Sequence, residues 1–208
     1  MGTGLEVEGL AIGRAERRLL SGVRLSVAPG TALSIHGTNG LGKTTLLRTL
    51  AGLMPPLEGR LTHDPEDVIY TAHGDAVKAG LTVAENLRFW AQLYGQGDIA
   101  PALAAFSLGP LAARRGDTLS AGQRRRCALA RLVLAGRSIW LLDEPTAALD
   151  TNGQAELATA LTAHLAGGGV ALLVTHGEPP IACPRLDLTA FRAGPPDRVT
   201  GAFAEVLE

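Results

Sequence analysis

The sequence contains the run Gly37-Thr38-Asn39-Gly40-Leu41-Gly42-Lys43-Thr44-Thr45, which fits the pattern G-x-x-x-x-G-K-[ST]. A short apolar run, Thr31 to His36, precedes it and predicts a buried strand, and Leu46 to Ala51 has the pattern of a helix. A strand, a glycine-rich loop and a helix in this order are typical of a phosphate-binding loop. Glycine allows the backbone N–H groups of the loop to approach a phosphate that a Cβ atom would hold away.

Two side chains of this run are candidate ligands of a nucleotide and its metal ion. The helix that begins near Lys43 directs its positive end at the same anion as the loop. We expect Lys43 to reach the β- and γ-phosphates and the Thr44 hydroxyl to bind Mg²⁺. Of the 19 basic residues only Lys43 and Lys78 are lysines, which indicates that the loop needs a compact ammonium group. The alternative is a glycine-rich turn with an incidental lysine, which the flanking strand and helix disfavour.

The composition bounds the class of protein. A chain of 208 residues with 46% hydrophobic content can form one α/β domain with a substantial core. Its net charge of −1 gives no general attraction to nucleic acid or to an anionic membrane. No apolar run reaches the roughly 18–20 residues that span a bilayer, and we expect no secretory signal at the N-terminus. Cys127 and Cys183 lack metal-site spacing, so we expect two reduced cysteines.

Apolar patterning predicts an α/β architecture. Alternating residues predict antiparallel strands at Leu5 to Leu10 and Val23 to Val27, with a charged turn over Gly13 to Arg18 between them. Apolar runs farther along predict buried strands, and one longer segment predicts a helix. These segments are an edge strand at Gly59 to Thr62, buried strands at Val68 to Ala72, Ser138 to Leu142 and Val170 to Val174, and a helix at Thr151 to Ala166.

A helical unit is predicted between strands of the core. Thr82 and Glu85 have the spacing of a capping box, which predicts the start of a helix. Ser120 is the expected N-cap of a second helix. We therefore expect a small helical subdomain over about residues 81–135, within a single domain that spans residues 1–208.

Two carboxylates follow the apolar strand Ile139 to Leu142. Ligands of open α/β sheets bind at the carboxyl ends of the strands, so Asp143 and the glycine loop can converge. We expect Asp143 to hold Mg²⁺, directly or through water. Glu144 points to the opposite side of the strand end, where it could polarise an attacking water. The alternative is that both are solvated strand-end carboxylates, which a nucleotide loop in the same chain disfavours.

The run Leu119-Ser120-Ala121-Gly122-Gln123 opens a helix and forms a second candidate anion site. The Ser120 hydroxyl and the Gly122 N–H lie at the positive end of that helix. A chain with one phosphate loop does not need a second cradle for the same phosphate. If two copies pack head to tail, however, the helix of one chain can close over the γ-phosphate that the loop of the other chain holds.

Together these motifs resemble the ATP-binding subunits of ABC transporters. The order is glycine loop, Leu-Ser-Ala-Gly-Gln, apolar-Asp-Glu-Pro and a strand-end His176, and it covers essentially the whole chain. The resemblance implies an α/β fold of the P-loop NTPase class, in which a RecA-like core carries an antiparallel β-subdomain and a small helical subdomain. It implies ATP and Mg²⁺ as cofactors and a homodimer of ATPase subunits with composite ATP sites.

The resemblance also assigns roles to residues outside the glycine loop. It implies that Glu144 and His176 are catalytic, with His176 sensing the γ-phosphate. By itself, a strand-end histidine could equally be an ordinary surface residue. Ser120, Gly122 and Gln123 would bind the nucleotide across the dimer. Ala147 to Asp150 would communicate between the two subunits, with Asp150 among the nucleotide-binding residues.

Two positions depart from the family pattern. Where the second core strand meets the helical subdomain, the family has a Gln that senses Mg²⁺ and contacts the membrane subunit, whereas this chain has Gly74. Coupling there would use His73, Asp75 or a water instead. The family also tends to stack adenine on an aromatic residue ahead of the glycine loop. This chain has Arg14 at that place, and a guanidinium can stack on a purine face.

Finer features are similar to the ATPase of the bacterial cytochrome c maturation haem exporter. These are the short length, the arginines that follow Leu-Ser-Ala-Gly-Gln, and the runs Glu16 to Gly22 and Leu81 to Phe89. The resemblance implies ATP-driven haem delivery, or release of a haem-loaded chaperone, on the periplasmic side. It implies separate membrane-spanning permease subunits, a peripheral location on the cytoplasmic face of the inner membrane, and no direct binding of haem by this chain.

Two other functions remain open at the level of sequence. The same motifs would serve the ATPase of another ABC exporter. A non-transport ABC protein acting on nucleic acid or the ribosome is the other alternative, and Arg124-Arg125-Arg126 could be a nucleic-acid patch. Three charges without interleaved aromatic residues supply only modest phosphate binding, so we expect no direct contact with nucleic acid.

Overall fold

The computed structural model describes residues 4–14, 17–72 and 74–194. In these ranges the chain forms eight strands and five α-helices, joined by turns and short 3₁₀ segments. The strands are β1 (Leu5–Arg14), β2 (Arg17–Val27), β3 (Ala32–His36), β4 (Glu58–Leu61), β5 (Val68–Thr71), β6 (Ile139–Asp143), β7 (Val170–Val174) and β8 (Arg185–Asp187). The helices are α1 (Lys43–Leu50), α2 (Val83–Leu93), α3 (Ala100–Ala105), α4 (Ala121–Ala135) and α5 (Thr151–Ala166).

A five-stranded sheet of order β5-β6-β7-β3-β8 is parallel throughout. Every residue of β6 and β7 is buried, as expected of central parallel strands that are covered on both faces. Because side chains alternate along a strand, Trp140 and Leu142 of β6 join one core cluster, and Ile139 and Leu141 join the other. The first cluster contains the apolar faces of α2, α4 and α5, and the second contains that of α1.

A separate antiparallel sheet has the order β2-β1-β4. Its apolar residues, Leu10, Ile12 and Leu20 among them, share the second core cluster with α1. The prediction of an α/β fold with an antiparallel unit beside a parallel core is therefore confirmed.

The extent predicted for the first hairpin was wrong. The charged turn was expected over Gly13 to Arg18, but Gly13 pairs with Arg18 and Arg14 pairs with Arg17, so the two strands continue past the predicted ends. Three register shifts interrupt this pairing. Each shift moves the following side chains to the other face and breaks the alternation that marks a strand in the sequence. The run 16–22 begins at Glu16, which lies outside the described residues.

The predicted capping box at Thr82 and the predicted N-cap at Ser120 are both present, and the Ser120 cap is itself a full capping box. The backbone N–H of Thr82 donates to Glu85 Oε2 at 2.7 Å, and the Glu85 N–H donates to Thr82 Oγ1 at 3.2 Å. Ser120 and Gln123 exchange the same pair of hydrogen bonds at the start of α4. In the described parts of the chain, no helix combines the length and the apolar character needed to cross a membrane.

Candidate nucleotide site

The carboxyl ends of the parallel strands gather the predicted site residues at one edge of the sheet. β3 leads into the glycine loop and α1, β6 ends at Asp143, and β7 is followed by Thr175 and His176. Adjacent parallel strands end at the same edge, so the loop, the two carboxylates and the histidine share one side of the molecule.

Gly42 shows why the loop requires glycine where it meets the helix. It is the N-cap of α1 with φ of 113°, a region that L-residues rarely adopt. A Cβ atom there would also lie 3.3 Å from Cβ of Leu19 in the first hairpin. The first turn of α1 contains no acidic residue, and no side chain caps its N-terminus. The positive end of the helix is therefore free of a competing anion, which fits a phosphate ligand.

Lys43 lies across this loop. The residue is only 8% exposed, and its Nζ donates to the carbonyl oxygens of Gly37 at 2.7 Å and Thr38 at 3.3 Å. An ammonium group has three N–H donors, so two bonds to the loop leave one for a phosphate oxygen. These contacts hold the ammonium group against the loop, and its binding of phosphate stays a prediction.

Asp143 is a buried carboxylate at the end of β6. It is 3% exposed, and the Tyr70 hydroxyl donates to its Oδ2 at 3.2 Å. Burial raises the pKa of Tyr70, and the adjacent Asp143 acts in the same direction, so the hydroxyl keeps its proton and remains a donor. Among the described residues Asp143 forms no ion pair. A buried carboxylate without a cationic partner fits a divalent cation.

These residues suit Mg²⁺ in particular. A carboxylate and the Thr44 hydroxyl in the first turn of α1 supply the hard oxygen ligands that Mg²⁺ prefers, and phosphates and waters usually complete its shell. The described part of the chain contains no group of three or more His, Cys, Asp or Glu residues suited to an all-protein metal site. A site shared between the protein and the nucleotide needs no such group.

Glu144 adopts an unusual backbone conformation. Its φ is 50°, and its N–H donates to the Val174 carbonyl at 2.8 Å, so the first residue after β6 is held in the left-handed region. This conformation is uncommon for a residue with a side chain, and residues that adopt it are enriched at functional sites.

The Glu144 side chain is turned toward His176. Oε2 accepts a hydrogen bond from the His176 backbone N–H at 3.3 Å, and Oε1 lies 3.4 Å from the ring Nε2. Oε1 is buried and has no hydrogen-bond partner within the described residues. A carboxylate oxygen without a hydrogen-bond partner can bind a proton or accept a hydrogen bond from water. His176 itself is exposed, so its ring can also face a ligand.

The residues of the second anion site lie at the start of α4. Ser120 is exposed, and the Gln123 side chain closes the capping box. A Cβ atom on Gly122 would lie 2.9 Å from the Ala148 carbonyl oxygen, so a glycine there lets α4 pack against residues 147–150 of the same chain. Asp150 caps α5 by accepting from the Gly153 N–H at 2.8 Å. The part that Ser120, Gly122, Gln123 and Asp150 would play across a dimer stays a prediction.

Arg14 is exposed at the end of β1. Gly42 of the glycine loop lies against Leu19 and Ile12, so the end of the first hairpin borders the loop. This position is compatible with contact to a base, and the adenine role of Arg14 stays a prediction. Gly74 is exposed, and His73, one of its proposed substitutes, lies outside the described residues.

Two side chains at the site were missed in the sequence. Tyr70 reaches Asp143 from the neighbouring strand, and Arg192 Nη2 donates to Oγ1 of Thr38 in the glycine loop at 3.1 Å. Arg192 follows the 3₁₀ segment Leu188–Phe191, which packs against the loop at Gly37. A lone arginine in a segment without a motif gives no signal in the sequence.

Comparisons with known proteins agree with this geometry. Residues 20–147 match the family model described as ABC transporter. The chain is 50% identical over 192 residues to the cytochrome c biogenesis ATP-binding export protein CcmA of Roseobacter denitrificans, covering 92% of this chain and 93% of the relative. The protein of that name from Rhodobacter capsulatus is 50% identical over 194 residues, covering 93% and 91%.

A solved structure shows the same fold. It is a putative ABC transporter ATP-binding protein from Pyrococcus furiosus, with a TM-score of 0.82 and 24% identity over 92% of this chain and 100% of that one. The parallel core, the antiparallel sheet and the helical unit are therefore those of an ABC ATPase. The chain is an ATPase of the ABC transporter family, and within that family it belongs to the cytochrome c biogenesis ATP-binding export proteins.

Proposed function

We propose that this chain hydrolyses ATP to power an export step of cytochrome c biogenesis, namely haem delivery or the release of a haem-loaded chaperone. The chain would not bind haem itself. Relatives named as ATP-binding export proteins of cytochrome c biogenesis, at 50% identity over most of the chain, support the process. Oε1 of Glu144 is buried, has no hydrogen-bond partner among the described residues and lies 3.4 Å from His176 Nε2; this arrangement supports the chemistry and is the observation on which the mechanism depends.

In the proposed mechanism the glycine loop holds the phosphates. Backbone N–H groups of residues 37–45 and the Lys43 ammonium bind the β- and γ-phosphates. Asp143 and Thr44 hold Mg²⁺, which when bound offsets negative charge on the phosphates. Arg14 stacks on the adenine.

Glu144 then acts on water. Oε1 accepts a hydrogen bond from a water molecule and orients its oxygen toward the γ-phosphorus. As the new P–O bond forms, the bond to the β-phosphate oxygen breaks, ADP leaves and the water proton passes to Glu144. His176, whose backbone N–H holds Oε2, keeps the carboxylate in place and contacts the γ-phosphate.

We further propose that one chain supplies half of each site. The exposed Ser120 at the positive end of α4, with Gly122 and Gln123, closes over the γ-phosphate bound by a second copy. Asp150 and the residues before it link the two sites. In this arrangement residues 1–208 form one ATP-binding domain, with about 81–135 as its helical subdomain.

The homodimer works with separate membrane-spanning permease subunits. The described residues include no helix suited to cross a membrane, so a transport function requires such partners. We place the ATPase at the cytoplasmic face of the inner membrane as a peripheral subunit. Among the residues that the structure describes, four large apolar side chains are exposed, and they are candidate contacts for the permease: Leu53, Leu57, Phe89 and Leu93.

Deletion of the gene tests this function. We expect a deletion strain to lose covalent haem from its periplasmic c-type cytochromes, measured by haem staining of membrane and periplasmic fractions. The wild-type gene should restore the haem, and Glu144→Gln should not. A matched control is Glu156→Gln, which removes a carboxylate paired with Arg126 at 3.7 Å on α4 and should restore haem. Normal covalent haem in the deletion strain would refute the assignment to cytochrome c biogenesis.

A further inference from the structure

A buried arginine of α4 connects three separate segments. Arg125 is 2% exposed, and its Nε, Nη1 and Nη2 all donate hydrogen bonds to oxygen atoms. Its acceptors are carbonyl oxygens of Ala72 (3.0 Å), Asp143 (3.2 Å), Glu144 (2.8 Å) and Pro145 (3.3 Å), and the carboxylate of Asp75 (3.3 Å). The guanidinium thus joins α4 to the end of β6 and to the segment that follows β5.

Asp75 supplies the negative charge that this guanidinium needs. The Asp75 carboxylate forms an ion pair with Arg125, and the Arg125 side chain is 3% exposed. A buried charge is costly unless it is paired, and carbonyl dipoles alone do not neutralise it. Without the Asp75 charge, the guanidinium would move toward solvent and its hydrogen bonds to the carbonyl oxygens would weaken.

At the end of β6, Arg125 bonds the backbone of residues in the proposed catalytic centre. Arg125 Nη2 bonds the carbonyls of Asp143 and Glu144, and Nε bonds that of Pro145. Glu144 is held at φ of 50°, a conformation that persists only when its surroundings fix it. Because the backbone angle of Glu144 sets the direction of its side chain, Arg125 helps to aim the carboxylate without touching the reacting atoms.

The other end of the network continues to α2. Asn86 of α2 is 3% exposed, and its side chain accepts from the Lys78 N–H at 2.8 Å and donates to the Lys78 carbonyl at 3.1 Å. The same amide donates to Thr82 at 2.9 Å. The segment that carries Asp75 is therefore attached to α2 three residues beyond Asp75, while Gly74 contributes no side chain.

We propose that the Asp75–Arg125 ion pair is a positioning device that ties the geometry of Glu144 to the placement of α2. A shift of α2 would move the segment of Lys78 and Asp75, change the hold of Arg125 on the Glu144 carbonyl and so change the rate of hydrolysis. The chain of contacts is continuous from Asn86 to Glu144, which gives the coupling a physical path. This inference rests on the proposed role of Glu144.

Asp75→Asn tests the pair, because it removes the charge and keeps the shape. We expect kcat for ATP hydrolysis by the purified full chain to fall about five- to a hundredfold, since misplacing a catalytic group by ~1 Å costs up to about a hundredfold. KM for ATP should stay within about twofold of the wild-type value, because the glycine loop and Lys43 are unchanged. If the ion pair served only to stabilise the fold, Asp75→Asn would lower the melting temperature but would not lower kcat while leaving KM unchanged.

Glu156→Gln is the matched control. It breaks an ion pair with the next arginine of α4, Arg126, which is directed at Phe106 and α5 and away from β6. We expect kcat to stay within about twofold of wild type, because the hydrogen bonds and ion pair of Arg126 among the described residues reach Phe106 and Glu156 and not β6. The proposal is overturned if Asp75→Asn keeps kcat within twofold, or if Glu156→Gln lowers it as much. Glu144→Gln in the same assay reports on the proposed catalytic carboxylate separately: normal hydrolysis by that variant would refute the role of Glu144, whatever Asp75→Asn does.

Discussion

Tyr70→Phe removes one atom from beside the proposed metal ligand. The Tyr70 hydroxyl donates to the buried Asp143 carboxylate at 3.2 Å and also meets Arg48. A hydrogen bond to a charged group contributes about 1.5–3 kcal/mol. The bond is long and Tyr70 is only partly buried, so we take the lower end, about 1.5 kcal/mol. In a domain of this size such a loss lowers the melting temperature by about 3–6 °C in the absence of nucleotide and metal.

The same hydroxyl orients Asp143 for a metal ion. Loss of a group that holds a metal ligand typically costs about 10- to 100-fold in metal affinity. We expect the Mg²⁺ concentration that gives half-maximal ATPase activity to rise about tenfold in Tyr70→Phe. Thermal denaturation and a Mg²⁺ titration of ATP hydrolysis measure the two effects.

Tyr94→Phe is the control, because the only other tyrosine stacks on Trp90 of the helical unit at 5.9 Å between ring centroids. Its effect on the melting temperature should be smaller, and the Mg²⁺ dependence should be unchanged. If Tyr70→Phe changes neither the melting temperature nor the Mg²⁺ dependence, the reasoning about Asp143 is refuted.

Three further outcomes are expected. Lys43→Ala should weaken ATP binding by about ten- to a hundredfold in calorimetric titration, because the charge-assisted bond from its free N–H to phosphate is lost; near-normal affinity would contradict the role of the ammonium. Arg192→Ala removes one hydrogen bond to Thr38 and should raise KM for ATP about two- to tenfold with kcat unchanged, and a fall in kcat alone would be inconsistent with this. Burial raises the pKa of Cys127 to about 12, so in a Cys183→Ala background a thiol reagent should fail to label the native protein at pH 8 and should label it after denaturation. Rapid labelling of the native protein would show that Cys127 is more exposed than the structure has it.

The parts of the site that the sequence predicts are those carried by local motifs. The glycine loop, the capping box at Thr82, the N-cap at Ser120 and the carboxylates after Leu142 depend on neighbours a few residues away, so spacing alone reveals them. Strand ends of a parallel sheet then bring these motifs to one edge without further information.

The contacts that were missed join residues far apart in the chain. Tyr70 and Asp143 are 73 positions apart, and Arg192 and Thr38 are 154 apart. Arg125 was considered only as part of a basic run, whereas burial by other segments makes it a bridge between carbonyl groups. A single sequence contains no periodicity or spacing that marks such pairs.

The extent of the first hairpin was predicted wrongly for a different reason, since its register shifts break the alternation of side chains.

The turnover of ATP by Glu144→Gln tests the central claim most directly. The substitution keeps the shape of the side chain and removes its ability to take a proton from water. If Glu144 is the group that activates water, turnover should fall by at least about a hundredfold while ATP still binds and promotes the homodimer. Hydrolysis at the wild-type rate by this variant would contradict the account.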